Sequence, residues 1–373
     1  MLAIVHDWIF HLRGGEKVLK HILEMFVDCD LFAMFFKKNI DPVFDKRFKK
    51  ASFLNFLPYR ERYYRYLLPL YPLGVYQLNR LMKSYDSIIS ISHCVAKNVY
   101  GHDVENICYC LSPFRPLYDL RYAYAGNSTL KDVVFDMFKL FDASFDRQKV
   151  KFIAISEFVS NRIKAAYGLS PIRVVYPPCE VDHIPLRDQS YKNAEFYVTG
   201  GALVENKNFD LVIQAFNDLK LPLFVFGSGP VEKKLKRMAR ENIKFLGWVS
   251  QQTLNKLFLK AKAFIFPSVE DFGLTTVEFL ASGGPVIGLN MGGTREILES
   301  PETWFGYLLD PEKSIVDQMK DKIIEIELGR SPELAPLDAR KRALKFSPER
   351  FREEFVNCLY SVSSASVKYL KAW

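Results

Sequence analysis

Glu270 and Glu278 flank a glycine, Gly273, in the run Phe-Ile-Phe-Pro-Ser-Val-Glu-Asp-Phe-Gly-Leu-Thr-Thr-Val-Glu that opens at Phe264. The apolar stretch before Pro267 reads as a buried strand, and the periodicity after Gly273 reads as a helix. Glu270 then falls in the connecting loop and Glu278 one turn into the helix. A helix start presents unpaired amide N–H groups and the positive end of the dipole, which together suit an anion. Gly273 lets the backbone approach a ligand closely. The two carboxylates are acceptors for paired hydroxyls. Such a site fits a ligand with hydroxyls at both ends and phosphate between them, as in a nucleotide sugar.

Two sets of alternating strands and helices have to position these residues. Leu2–Val5, Ser87–Ser92, Asn106–Cys110 and Phe152–Ile155 read as strands, with a turn at His11–Gly15 and a helix over Glu16–Phe26. Ser156 is the expected N-cap of a helix that runs to Tyr167 and stops at Gly168. Val174-Val175-Tyr176 is a short strand closed by Pro177-Pro178, and a polar stretch follows from Cys179 to Asn193. The rhythm then restarts through strands at Phe196–Thr199, Leu223–Phe226, Lys244–Phe245, Ala263–Phe266 and Pro285–Gly288, with helices between them. Ser347 to about Leu370 reads as one amphipathic helix with Pro348 in its first turn. The expectation is an α/β protein with two doubly wound, Rossmann-like domains facing across a cleft. Residues 1–178 form the first, the acceptor side; residues 179–346 form the second; the helix of residues 347–373 returns to the first.

The motif content resembles the retaining GT-B glycosyltransferases of family four, glycosyltransferase group 1. Glu270 and Glu278 match the E-x7-E motif of that family, and Ala281-Ser-Gly-Gly-Pro-Val-Ile after them is also typical. Gly14-Gly15-Glu16-Lys17 resembles the glycine-rich loop after the first strand. Ser92-His93 with Ala96-Lys97-Asn98-Val99 is similar to the segment holding the N-domain histidine. Tyr176-Pro177-Pro178 resembles the interdomain hinge, and Gly201 to Asn208 resembles the phosphate-binding stretch with Lys207. Gly227-Ser-Gly-Pro230 and Phe245-Leu-Gly-Trp-Val249 match the later loops. Within the family the chain looks closest to the mannosyltransferases of the WbaZ type.

The resemblance implies roles. Lys207 would hold the diphosphate, and Phe272, Gly273, Leu274 and Thr275 would run along the transferred sugar and distal phosphate. Glu270 would bind sugar hydroxyls and Glu278 the ribose. Trp248 and Val249 would meet the base. His93 would touch the sugar near the reacting face, and Gly14 and Gly15 would close on the phosphates. His93, Glu270 and Lys207 are the implied catalytic set. The implied reaction is metal-independent hexosyl transfer with retention, from a GDP-mannose or UDP-glucose type donor to a glycan or lipid-linked glycan hydroxyl; no cofactor is implied. Two positions depart from the pattern. Ala202 stands where many relatives have an arginine, and Leu111 stands in a context where a histidine is common, although Arg115 remains.

Composition narrows the alternatives. Of 373 residues, 49% are hydrophobic and 25% charged, which excludes a disordered or collagen-like chain. The net charge is +8. Between Lys37 and Lys83 there are eleven basic residues against Asp41, Asp45 and Glu61, a surplus equal to the whole excess. Arg62 and Arg65 lie there within Arg62–Leu68, which reads as an amphipathic interfacial helix, so two readings stand: a segment that meets acceptor and an anionic membrane surface, or a solvated face around Phe and Tyr core positions. No nucleic-acid motif accompanies it. The start has no basic region before its apolar run, and no stretch reaches the roughly 20 apolar residues of a membrane span. A cytoplasmic location, peripheral at the inner membrane face, is expected. Six cysteines form no C-x-x-C pair, and six histidines make no paired ligand spacing, so no structural metal is expected. Asp28-Cys29-Asp30 looks like a metal-binding D-x-D but falls between helix and strand, where a solvated turn is the expected reading. The remaining alternatives are a sugar-nucleotide epimerase, a phosphorylase without a visible pyridoxal lysine, and a non-catalytic nucleotide-sugar-binding or membrane-recruited partner.

Overall fold

The computed structural model describes residues 1–101, 104, 106–119, 121, 129–145, 148–188 and 194–371. His102 and the end of the polar stretch, at 189–193, lie outside the described residues. The chain divides into two compact units, Met1–Pro178 together with Pro348–Trp373, and Cys179–Ser347.

Among the described residues, unit 1 is built on seven parallel strands: β1 (Leu2–Ile9), β2 (Asp30–Phe36), β3 (Phe48–Ala51), β4 (Ser87–Ser92), β5 (Asn106–Cys110), β6 (Val150–Ala154) and β7 (Arg173–Val174). Their order is β3-β2-β1-β4-β5-β6-β7. Parallel strands covered on both faces carry near-continuous apolar runs, and β1, β2, β4 and β5 are almost wholly buried. The sheet reverses direction of growth between β1 and β4, and in open sheets that switch point, at the carboxyl ends of the strands, is where ligands bind.

Several elements differ from expectation. Gly14 and Gly15 lie inside the first helix, Gly14–Glu24, rather than in a turn before it. The Glu16 carboxylate accepts the backbone N–H of Arg13 at 3.0 Å, which starts the helix earlier than the apolar periodicity indicates. Arg62–Leu68 is not one amphipathic helix. A short helix at Arg60–Tyr63 passes into 3₁₀ turns over Tyr64–Leu70, where Pro69 interrupts the regular pattern. The tail is a helix at Pro348–Val362, then a short one at Ser364–Val367. Ser363 breaks it by turning its hydroxyl to cap Ser366 N. The tail joins unit 1: Tyr109 packs edge-on against Phe351 and Phe355, and Arg350 donates to the Tyr176 carbonyl.

Unit 2 carries six parallel strands among the described residues: β8 (Phe196–Ala202), β9 (Leu223–Ser228), β10 (Ile243–Gly247), β11 (Ala261–Phe266), β12 (Val286–Leu289) and β13 (Gly306–Leu309). Their order is β10-β9-β8-β11-β12-β13. Its switch point lies between β8 and β11. No described helix is long and apolar enough to cross a membrane.

Candidate active site

The switch point of unit 2 gathers the residues singled out from sequence. Lys207 follows β8 and Glu270 follows β11, and their side chains meet with Nζ 3.0 Å from Oε1. Each is 18% exposed, so the pair is sheltered yet reachable. Ser268 Oγ donates to Glu270 Oε1 at 3.4 Å, and Lys207 Nζ also lies 5.4 Å from the centre of the Phe266 ring.

Gly273 is the N-cap of the helix Leu274–Ala281, with φ +109°. That conformation strains any side-chain-bearing residue. Thr276 and Val277 donate back to the Gly273 carbonyl, while the first amides of the helix have no acceptor within it. Two hydroxyls that the sequence reading passed over belong here. Thr276 Oγ1 and Thr294 Oγ1 are buried without a hydrogen-bond partner. They sit 3.5 and 3.6 Å from where a Cβ on Gly273 would stand. Glu278 is half-buried in the second turn of the same helix.

The loop carrying Glu270 is held from below. Gly293 N–H donates to the Glu270 carbonyl at 2.9 Å. A Cβ on Gly293 would fall 2.1 Å from the Phe272 carbonyl oxygen. The signal in the sequence was a glycine pair opening a helix after a strand, whose use shows only in space. Phe272 itself is buried with its ring against Phe346. The ring anchors the loop. Trp248 follows β10 and is 78% exposed, with Val249 half-buried beside it. Leu274 and Thr275 are half-buried at the helix start.

Unit 1 gathers a second group at its own switch point. His93 follows β4, is 29% exposed, and has Nδ1 3.4 Å from Asp7 Oδ2 on β1. The rings of Trp8 and His93 meet at right angles with their centres 4.3 Å apart. Gly15 packs close to Leu111, and Gly14 begins the same helix. His6 is fully buried with Nδ1 2.8 Å from the Ile91 carbonyl, so that nitrogen carries the proton and Nε2 is left a buried acceptor with no partner. Burial holds the His6 pKa below its ordinary value, and burial pushes the Glu16 carboxyl up. Neither Asp7, His6 nor Glu16 was singled out from sequence, because their significance comes from residues brought in by other strands.

The remaining assignments scatter. Arg115 opens the short helix Arg115–Tyr118, and Asp119 one turn on pairs with Arg162. Arg62 and Arg65 stack over Tyr63 and Tyr64 at 5.3 and 5.5 Å. Asp28 pairs with Arg47 at 3.6 Å and Asp30 accepts from Tyr85, so the D-x-D carboxylates point to separate partners. No group of metal-ligand type occurs among the described residues, and all six cysteines are buried and unbridged.

Residues 184–343 match the family described as Glycosyl transferases group 1. An uncharacterised glycosyltransferase of Methanocaldococcus jannaschii is 29% identical over 181 residues, 47% of this chain and 49% of that protein. O-antigen chain mannosyltransferase B of Escherichia coli is 26% identical over 254 residues, 61% of this chain and 64% of that protein. The matched stretches thus span about half to under two thirds of these relatives. The solved structure of HepE from Anabaena in complex with UDP-glucose superposes with a TM-score of 0.70 over 97% of this chain and 100% of that one, at 15% identity. The architecture is the GT-B fold, two parallel-sheet Rossmann-like units. Within its second unit, residues 184–343 are similar to the glycosyl transferases group 1 family.

Proposed function

We propose that the protein is a retaining hexosyltransferase that moves a sugar from a nucleotide diphosphate donor to a hydroxyl of a glycan or lipid-linked glycan. The observation that carries this reading is the Lys207–Glu270 pair at the unit 2 switch point, beside the helix start at Gly273. Lys207 takes the diphosphate by charge. The amides of Gly273, Leu274 and Thr275 take the distal phosphate and the sugar. Glu270 accepts from sugar hydroxyls, Glu278 from the ribose, and the exposed Trp248 with Val249 covers the base. His93, Gly14 and Gly15 act on the donor from the first unit.

The chemistry follows from these groups. Fixed positive charge and oriented amides stabilise the negative charge that grows on the departing diphosphate. That diphosphate takes the acceptor proton on the same face, so neither glutamate need act as nucleophile or base. No metal enters the scheme. Mannose, carried by GDP, is the first-choice donor sugar, a reading supported by the mannosyltransferase among the relatives; UDP-glucose is second, supported by the ligand of the Anabaena structure.

The acceptor is proposed to lie at an anionic membrane surface. Phe56, Tyr59, Tyr66 and Tyr76 are between 63% and 81% exposed among the cations of residues 37–83. Aromatic and cationic side chains together suit a membrane interface. The function is tested by incubating the protein with each nucleotide sugar and a lipid-linked acceptor. A glycosylated product with the donor's anomeric configuration is the expected outcome. Epimerised donor without an acceptor, or donor binding without any transfer, would overturn the reading.

A further inference from the structure

Asp7 is fully buried at the carboxyl end of β1, next to β4. Its Oδ2 accepts the backbone N–H of His93 at 2.7 Å and of Cys94 at 2.9 Å, with Ser92 Oγ at 3.3 Å. Its Oδ1 accepts the N–H of Val95 at 2.7 Å and of Ala96 at 2.8 Å. The imidazole of His93 reaches the same carboxylate, Nδ1 lying 3.4 Å from Oδ2.

Burial by itself would push this carboxyl up. The charges of His93 and His6 and the amides of His93 and Ala96 outweigh it and hold the group below its ordinary value. A buried anion persists only when paired and hydrogen-bonded. Closing a turn needs one or two neutral acceptors, as a serine or threonine supplies at many helix starts. A full buried charge is more than that task requires. The group that responds to charge, beyond the backbone, is the half-exposed imidazole of His93. The other titratable groups nearby are His6 on β1, Glu16 at the start of the helix Gly14–Glu24, Cys94 after β4 and Tyr71 at the start of the helix Tyr71–Leu81; the charge of Asp7 acts on His6, Cys94 and Tyr71, and that of His6 on Glu16.

We propose that Asp7 is a positioning residue for His93, fixing the place of the imidazole and favouring its cationic form. The site it serves is a one-residue cation at the unit 1 switch point, suited to an anionic or hydroxyl-bearing group of a sugar nucleotide. The inference rests on the proposed role of His93, but its test uses the protein alone, so its outcome is independent of whether transfer is found.

The test is the titration of His93 followed by side-chain NMR in wild type and in Asp7→Asn, with the His93 resonance assigned from its loss in His93→Gln. An opposite charge at this separation moves a pKa by about one unit or more. The His93 midpoint should therefore fall by that much in Asp7→Asn. An unchanged midpoint in a folded variant would overturn the proposal. If Asp7→Asn does not fold, the wild-type Asp7 carboxyl resonance decides instead. It should step at the His93 midpoint, and a flat trace there would equally overturn it.

Discussion

Lys207 and Glu270 stand 3.0 Å apart, although they follow β8 and β11, strands separated in the chain and joined only by sheet order. A cation that is to hold a diphosphate is thus already paired. Donor binding exchanges that ion pair for contacts with phosphate and with sugar hydroxyls. The two partners should therefore respond differently to truncation. Lys207→Ala removes the phosphate charge and should abolish donor-dependent stabilisation. Glu270→Gln removes the competing carboxylate. It should leave nucleoside diphosphate affinity equal or higher in calorimetry while lowering transfer, because the charged acceptor for the sugar hydroxyls is lost. Equal loss of diphosphate affinity in both variants would sink the division of roles.

Gly273 adopts a backbone conformation open mainly to glycine, at the point where the helix amides and two unpartnered hydroxyls converge. Gly273→Ala has space for its methyl group, since the nearest atoms are 3.5 Å away. The penalty is therefore backbone strain, about 1 kcal/mol or more. Unfolding of unit 2 should shift only slightly, whereas donor affinity should drop sharply. A variant with wild-type affinity would show that the loop does not need this geometry.

Acid should weaken unit 1 around β1 and β4. His6 and Asp7 both have folded values below their ordinary values of 6.5 and 3.8. Their contribution is complete above the ordinary value and is lost as pH falls through the depressed one. Glu16, raised by burial, acts with the opposite sign. His6→Asn isolates the histidine. Amide protection factors of peptides covering β1 and β4, taken relative to the intrinsic exchange rate at each pH, should fall from pH 7 to pH 5 in wild type, and by less in the variant. Identical acid sensitivity would remove His6 from the account.

The exposed aromatic and basic face makes a separate prediction. Replacing Arg60, Arg62 and Arg65 by glutamine should weaken sedimentation with anionic vesicles by roughly fivefold per charge, and high salt should erase the difference. Donor-induced stabilisation should be unaffected. Loss of both would show that the segment is structural.

The parallel α/β fold was legible because strands covered on both faces read as unbroken apolar runs. Ser87–Ser92 and Asn106–Cys110 were located to the residue. Helix punctuation was equally clear at Ser156, which caps Val159 N, and at Gly168, left-handed at the helix end. Short or partly exposed elements were not legible. β3 and β13 are four-residue strands with half-exposed positions, too brief for a period to show. The break at Ser363 was hidden because a serine in an amphipathic pattern reads as a polar position until its hydroxyl is seen to cap. In the site, Glu270 stands out in its local run, while Lys207 is reached through the family resemblance of Gly201 to Asn208. Asp7 could not, since its five donors lie 85 to 89 positions away and β1 alone reads as core. Gly293 belongs to the same class: the carbonyl it must approach lies on a different loop.

Binding of a nucleotide sugar by unit 2 through Lys207 is decided by thermal unfolding of wild type and Lys207→Ala across a panel led by GDP-mannose and UDP-glucose. Binding raises stability by mass action, by about 2.7 kcal/mol at a hundredfold excess over Kd. One donor should raise the wild-type unfolding temperature and leave Lys207→Ala unmoved. No shift with any donor, or the same shift in both proteins, would contradict it.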